Sequence, residues 1–112
     1  MKTIRTIIVD DESLALDLLR AYLSRYPQVE IIAECQNGRQ AIAKANELQP
    51  DLMFLDIQMP ELTGFDVIKN IQADIMPLVV FVTAYDHYAL EAFDVYAVDY
   101  LLKPLDQDLL ER

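Results

Sequence analysis

Cysteine, histidine and basic residues are scarce in this chain of 112 residues, and each shortage excludes a class of protein. The single cysteine, Cys35, excludes an internal disulfide and a cysteine-based metal cluster, and we interpret it as a small apolar residue that ends a strand. The single histidine, His87, has no neighbouring ligands for a metal site. The 9 basic residues face 19 acidic ones, which gives a net charge of −10. This balance argues against nucleic-acid binding by the segment, because phosphate binding needs basic patches.

Long apolar runs are also absent from the sequence. No run approaches the ~18–20 residues that a membrane-spanning helix needs. The first nine residues do not resemble a signal peptide, since a strand and acidic residues follow at once. We therefore expect a cytoplasmic protein without a membrane partner. The apolar content of 54% is still ample for the core of one domain of this length.

Short apolar runs alternate with segments of helical periodicity. The predicted strands are residues 4–9, 29–33, 52–55, 78–82 and 100–102. The first, third and fourth are almost continuously apolar, which is typical of parallel strands covered on both faces. The alternation predicts an α/β fold, with a doubly wound five-stranded parallel sheet, right-handed crossovers and helices on both faces.

Three helices are predicted between the strands, because apolar residues recur there at intervals of three and four. Thr63 followed by Asp66 is close to a capping box at the start of the third helix. A weaker helix is predicted over residues 87–95, and residues 106–112 resemble the opening turns of a further helix. We therefore expect the chain to be a fragment of a longer protein. The apolar repeats are Ala15, Leu19, Tyr22 and Leu23; Ala41, Ala45 and Leu48; and Val67, Ile71 and Ile75.

Polar residues stand where the predicted strands end. Asp10 and Asp11 follow the first strand, Asp56 follows the third, and Thr83 and Lys103 follow the fourth and fifth. The carboxyl ends of parallel strands meet at one edge of a sheet, so these side chains should lie together. Three carboxylates, a hydroxyl and an ammonium group predict a site for a hard cation and a phosphoryl group.

Four motifs at these strand ends resemble the receiver domain of two-component response regulators. They are IIVDDE at 7–12, FLDIQMPELTGFD at 54–66, FVTA at 81–84 and DYLLKP at 99–104. The resemblance covers the whole chain and implies a flavodoxin-like strand order of 2-1-3-4-5, with residues 1–112 as a receiver domain cut short in its last helix. Residues 83–104 also resemble receivers of the LytTR subfamily, whose full-length members carry a C-terminal DNA-binding domain. DNA binding is therefore implied only through a domain that this segment lacks.

The resemblance assigns roles at the acidic site. It implies that Asp56 accepts the phosphoryl group and that Mg²⁺ is the cofactor. Asp11 matches the direct metal ligand of the aspartate pair, and Asp10 matches the one that acts through water. The backbone carbonyl of Gln58 matches a further ligand.

The remaining motif residues are implied to sense the phosphoryl group. Lys103 would pair with a phosphoryl oxygen and favour the ionised form of Asp56 before phosphorylation. Thr83 matches the switch hydroxyl, and Tyr100 matches the switch aromatic residue that turns inward. The peptide bond between Lys103 and Pro104 would be cis, as in the family.

The implied function is a phosphorylation-activated switch. A sensor histidine kinase would supply the phosphoryl group, and the domain would catalyse only its own phosphorylation and dephosphorylation. The face formed by the fourth helix, fifth strand and fifth helix would change shape and form a homodimer that controls an attached transcription-regulating domain. Alternatively, the apolar residues near this face pack inward as helix core; they are Tyr88, Leu90, Phe93, Val95 and Tyr96.

Other functions fit the sequence less well. A Mg²⁺-dependent phosphatase of the haloacid dehalogenase type needs a second aspartate two residues after the first, where this chain has Gln58. A flavodoxin needs a phosphate loop rich in serine, threonine and glycine after the first strand, where this chain has Asp10, Asp11 and Glu12. A receiver-like docking module that works without phosphorylation stays open as an alternative.

Overall fold

Five strands and three helices alternate in the part of the chain that the structure describes. The structure is a computed structural model, and it describes residues 2–84 and 97–103. The predictions for residues 87–95 and 106–112, the cis bond at Pro104 and the apolar residues near the dimer face lie outside these ranges. The elements are β1 (Ile4–Val9), α1 (Ser13–Leu23), β2 (Val29–Cys35), α2 (Gly38–Leu48), β3 (Leu52–Leu55), α3 (Gly64–Lys69), β4 (Leu78–Thr83) and β5 (Ala97–Leu102).

The five strands form one parallel sheet in the order β2-β1-β3-β4-β5. Val9 is paired with Leu55, and Leu55 with Phe81, so β1, β3 and β4 reach the same edge of the sheet. The predicted fold class and strand order are confirmed. Because β2 and β3 lie on opposite sides of β1, the chain reverses its winding direction there, and the carboxyl ends on either side of this point border a crevice.

Both faces of the sheet are buried, which explains the continuous apolar strands. Ile7 and Val9 face the side covered by α2 and α3, whereas Ile8 between them faces α1. In β3, Met53 and Phe54 divide between the two faces in the same way. Successive side chains of a strand point to opposite faces, so a strand with helices on both sides needs apolar residues at every position.

Three strands differ from the predicted bounds. β2 continues to Cys35, and β5 begins at Ala97 instead of Tyr100, because the backbone ladder extends beyond the apolar residues. β4 likewise includes Thr83. In β5 the pairing shifts by one residue after the pair of Val79 and Ala97, which disturbs the alternation that sequence patterns rely on. Cys35 ends its strand and is buried, as predicted.

The third helix begins as predicted but ends early. Thr63 and Asp66 form a capping box, in which the Thr63 backbone amide donates to Asp66 Oδ2 (2.9 Å) and the Asp66 amide donates to Thr63 Oγ1 (3.2 Å). The helix stops at Lys69, so the prediction of a helix that includes Ile75 is wrong. The Ile75 side chain is 84% exposed.

Two side-chain hydrogen bonds explain this early end. The Asn70 side-chain amide donates to the carbonyl of Asp66 (2.8 Å) and closes the last turn. The backbone amide of Gln72 then donates to Asn46 Oδ1 on α2 (2.7 Å), outside any helical pattern. Asparagine competes with the helix for backbone groups in this way, and a tertiary partner for Gln72 cannot be seen in the apolar periodicity.

Candidate functional site

Backbone hydrogen bonds at the sheet edge place the two buried aspartates side by side. The amide of Asp10 donates to the carbonyl of Cys35 at the end of β2 (3.0 Å), and the amide of Asp56 donates to the carbonyl of Val9 at the end of β1 (3.1 Å). Asp10 is 3% exposed and Asp56 is 4% exposed. The parallel ladder thus brings together two carboxylates that are 46 residues apart in sequence, since 56 − 10 = 46.

A third carboxylate completes an acidic cluster that fits a divalent cation. One carboxylate oxygen from each of Asp10, Asp11 and Asp56 lies within 4.8 Å of the other two. Asp11 is exposed, so the cluster opens to solvent on its side. Oxygen ligands of Mg²⁺ at ~2.1 Å are ~3–4 Å apart. A small adjustment of these side chains would therefore let them share one ion. Gln58 lies two residues beyond Asp56, at an exposed position.

Lys103 is a cation that contacts two of these three carboxylates, those of Asp10 and Asp56. Its Nζ lies 2.6 Å from Asp10 Oδ2, 3.3 Å from Asp56 Oδ2 and 3.7 Å from Glu12 Oε1. Its backbone amide donates to the carbonyl of Thr83 (2.8 Å), which fixes the end of β5 against β4. The sequence predicts that Lys103 acts on Asp56, but the shortest contact of the Lys103 ammonium group is with Asp10.

The environment of Asp56 raises the pKa of its carboxyl to about 6. Burial is the main cause, and the negative charge of Asp10 adds to it, while the charge and hydrogen bond of Lys103 act in the opposite direction. Lys103 thus favours the ionised form of Asp56, as the sequence predicts, but burial and the charge of Asp10 outweigh it and the pKa is raised overall. At pH 7 the ionised form still prevails, because the pH exceeds this pKa.

Two other site residues have raised pKa values for different reasons. Partial loss of water around the Asp11 carboxyl, which stays exposed on one side, is the main cause of its raised pKa, and the charges of Asp10 and Glu12 add to it. Burial alone would lower the pKa of Lys103, but the hydrogen bond to Asp10 and the charge of Asp56 outweigh it and raise the pKa. Lys103 therefore stays an ammonium group at the site.

The two predicted switch residues lie on adjacent strands, Thr83 on β4 and Tyr100 on β5. Thr83 is fully buried at the end of β4, one strand away from Asp56. Tyr100 pairs with Phe81 across the ladder of β4 and β5 and packs, partly buried, against the core on the side of α2 and α3. Five of the predicted residues thus come to one edge of the sheet: Asp10, Asp11, Asp56, Thr83 and Lys103. Tyr100 lies within β5, and Pro104 lies outside the described residues.

Gly64 fixes the loop that follows Asp56. Its amide donates to the carbonyl of Ile57 (2.8 Å), and a Cβ atom at this position would lie only 2.5 Å from the backbone oxygen of Asp56. Only glycine leaves room for this close approach. Gly64 is the first residue of α3.

Glu12 is the site residue to which sequence reasoning gave no role. It follows Asp10 and Asp11 directly, and its carboxylate lies 3.7 Å from the Lys103 ammonium. The run of three acidic residues after β1 was the available signal. Nothing in that run indicates that the third side chain turns toward a lysine 91 residues further along the chain, since 103 − 12 = 91.

Comparison with known protein families identifies the family of this chain. Residues 6–112 match the model of the response regulator receiver domain. The chain is a response regulator receiver domain. The predicted family is thereby confirmed, and the acidic cluster lies at the edge of the sheet where the sequence placed it.

Curated relatives of this receiver domain include regulators of transcription. It is 44% identical over 109 residues to the transcriptional regulatory protein BtsR of Escherichia coli (strain K12). It is 50% identical over 109 residues to an uncharacterized response regulatory protein of Yersinia pestis. Each match covers 97% of this chain and 46% of the relative. The chain therefore spans less than half the length of these relatives.

Solved receiver structures share the fold. The response regulatory domain of mrkE from Klebsiella pneumoniae has a TM-score of 0.86 at 35% identity, over 96% of this chain and 88% of that one. The response regulator domain of CheB from Thermotoga maritima has a TM-score of 0.84 at 28% identity, over 98% and 92%. Among the described residues, no helix has the length and apolar character needed to cross a bilayer.

Proposed function

We propose that this receiver domain accepts a phosphoryl group on Asp56 from the phosphohistidine of a sensor kinase and thereby switches an attached output. The observation that carries the proposal is the cluster of Asp10, Asp11, Asp56 and Lys103 at one edge of the sheet. Three clustered carboxylates with an ammonium group beside two of them suit a site that must take up a phosphoryl group together with a cation.

The oxygen donors of the acidic cluster fit Mg²⁺. Asp11 and Asp56 would bind the ion directly, Asp10 through water, and the backbone carbonyl of Gln58 would provide a further ligand. When bound, the ion would offset the repulsion between the carboxylates and an anionic phosphodonor. The exposed position of Asp11 supports entry of the ion from solvent.

The transfer step forms one bond and breaks one. A carboxylate oxygen of Asp56 attacks the phosphorus atom, the bond from phosphorus to the histidine nitrogen breaks, and its electron pair returns to the imidazole. The product is an acyl phosphate. The pKa of Asp56, although raised to about 6, is still below 7, so most of the carboxyl is ionised and available as a nucleophile at pH 7. Lys103, which is 3.3 Å from Asp56 Oδ2, would turn to a phosphoryl oxygen.

The switch follows from the charge that phosphorylation adds. A phosphoryl group brings about −1.5 to −2 charges and strong acceptor oxygens, which would draw Thr83 and Lys103 toward Asp56. The backbone hydrogen bond from Lys103 to Thr83 joins the ends of β4 and β5, so both strand ends would respond together. Tyr100 would then turn inward and change the outer face of β5.

The whole protein would act on DNA through a further domain. We propose a C-terminal DNA-binding domain of the LytTR type, which the resemblance of residues 83–104 supports. A cytoplasmic location, a sensor histidine kinase as donor and the absence of other enzymatic activity belong to the same proposal. The match to a protein named as a transcriptional regulator is in keeping with it.

Intact mass measurement tests the phosphoacceptor directly. After incubation with acetyl phosphate and Mg²⁺, the wild-type domain should gain the mass of one phosphoryl group, and a chelator should prevent the gain. The Asp56→Asn variant should gain none, because an amide cannot form the acyl phosphate. Asp74→Asn is the matched control, since Asp74 is an exposed aspartate and should leave the adduct unchanged.

The result also separates the alternatives. A phosphoryl group on Asp10 or Asp11 in the Asp56→Asn variant and in the wild type would contradict the assignment of Asp56. No adduct after rapid quenching at any time point would favour the docking module that works without phosphorylation.

Phosphorylation should also promote dimer formation. We expect sedimentation equilibrium of the wild-type domain to shift from monomer toward dimer when a phosphoryl mimic such as beryllofluoride is added with Mg²⁺. The shift should be absent in Asp56→Asn, which lacks the acceptor carboxylate. A domain that stays monomeric over a wide concentration range with the mimic bound would contradict the proposed dimer.

A further inference from the structure

Glu12 precedes α1 at the position of a helix cap but does not cap the helix. Its backbone is extended (φ −101°, ψ 121°), and its side chain makes no capping hydrogen bond. Serine, threonine, aspartate and asparagine are preferred at this position because their short side chains reach the helix amides. The Glu12 backbone amide instead donates to Asp10 Oδ1 (3.0 Å). The acidic site, more than the helix, therefore determines where Glu12 lies.

The Glu12 carboxylate contacts the ammonium group of Lys103. The distance from Oε1 to Nζ is 3.7 Å, and the Glu12 side chain is 71% exposed. Lys103 therefore faces three carboxylates in the unphosphorylated domain, because Asp10 and Asp56 are also within 3.3 Å of its Nζ. Of the three, Glu12 alone is assigned neither to the metal nor to the phosphoryl group.

We propose that Glu12 is a positioning residue that holds Lys103 in its unphosphorylated arrangement and slows the uptake of the phosphoryl group by Asp56. This inference rests on the proposed function. Phosphorylated Asp56 needs Lys103 at a phosphoryl oxygen, so the contact with Glu12 belongs mainly to the unphosphorylated state. A contact made in one state shifts the equilibrium toward that state. Removing an exposed ion pair of this kind should change the rate by about two- to fivefold.

Two substitutions at Glu12 separate its contact with Lys103 from its charge. Glu12→Gln removes the charge and should take up the phosphoryl group about two- to fivefold faster from acetyl phosphate at saturating Mg²⁺. Glu12→Asp keeps the charge, but an aspartate at this position accepts hydrogen bonds from the helix amides and turns away from Lys103. The phosphorylation rate of Glu12→Asp should therefore rise as well. Glu47→Gln removes an exposed charge from α2 and is the matched control, with an unchanged rate.

The Lys103 ammonium provides a second measurement that does not need phosphorylation. The chain has four lysines, so their side-chain NMR signals can be assigned by substitution; they are Lys2, Lys44, Lys69 and Lys103. The Lys103 signal should shift in Glu12→Gln and Glu12→Asp and stay in place in Glu47→Gln. If the wild type accepts no phosphoryl group, the proposed function fails, whereas this signal still reports whether Glu12 positions Lys103.

Three results would overturn the inference. The first is an unchanged Lys103 signal in both Glu12 variants, which would mean that no contact exists in solution. The second is an unchanged phosphorylation rate in both variants. The third is a phosphorylation rate that rises in Glu12→Gln but stays at the wild-type value in Glu12→Asp. Glu12 would then act only through the repulsion between its charge and the anionic donor, and not through Lys103.

Discussion

Replacing Asp56 by asparagine should stabilise the domain by about 2–3 kcal/mol at pH 7.5 in the absence of divalent cations. The pKa of Asp56 rises from its ordinary value of 3.8 to about 6 in the folded domain. The folded state therefore disfavours the ionised form of Asp56, and the full cost in folding free energy applies above pH 6. As the pH falls from 6 to 4, the carboxyl becomes protonated in the folded state and the cost disappears. The gain from asparagine should disappear over the same range.

Urea denaturation followed by far-ultraviolet circular dichroism measures this effect. The domain has no tryptophan, so the backbone signal is the suitable probe. Wild type, Asp56→Asn and the exposed control Asp74→Asn should be compared at pH 7.5 and pH 4. Asp74→Asn should match the wild type at both pH values. A gain for Asp56→Asn that is equal at pH 7.5 and pH 4 would show that the buried charge is not its cause.

Replacing Lys103 by methionine should destabilise the domain by about 3–5 kcal/mol at pH 7.5, because two buried carboxylates lose their cation. Nζ of Lys103 lies 2.6 Å from Asp10 and 3.3 Å from Asp56, and its side chain is only 17% exposed. Methionine keeps most of the aliphatic packing, so the loss is mainly electrostatic. Without Lys103 the pKa of Asp56 should rise further. The loss should therefore be largest above pH 6 and should shrink toward pH 4.

A double substitution and added Mg²⁺ test the electrostatic origin of this loss. Asp56→Asn should recover part of the stability of Lys103→Met, since it removes one of the two unpaired charges. Saturating Mg²⁺ should stabilise Lys103→Met more than the wild type, because the cation would replace the missing ammonium charge. Lys44→Met, at a partly exposed position on α2, is the control and should change the stability little. Strictly additive effects of the Asp56 and Lys103 substitutions would contradict a direct charge interaction between them.

Local patterns were sufficient to predict most of the fold. The continuous apolar runs of β1, β3 and β4 identify strands covered on both faces, and the predicted bounds of β1 and β3 agree with the structure. The capping box of Thr63 and Asp66 is confirmed, because such a cap depends on residues three apart in sequence. Patterns failed where a tertiary hydrogen bond decided the outcome, as at Gln72, whose amide is bound to Asn46 instead of continuing α3.

The residues of the acidic site were also predictable, but their electrostatic balance was not. Asp10, Asp11, Asp56, Thr83 and Lys103 all stand at strand ends, and the parallel sheet brings strand ends together. The direction of the pKa change of Asp56 depends on how deeply the carboxyl is buried and on its distance from Asp10. Neither quantity has a sequence signal, so the sequence predicts the effect of the nearby lysine but not the net direction of the pKa change.

The sequence by itself determined the family, the order of strands and helices and the chemical groups at the carboxyl edge of the sheet. It could do so because periodicity, caps and strand-end residues are local properties of the chain. The tertiary structure alone decided that Lys103 lies closest to Asp10, that Glu12 turns to Lys103 instead of capping α1, and that burial outweighs the lysine at Asp56. These outcomes depend on distances between residues far apart in sequence and on the loss of water around them, which arise only when the chain has folded.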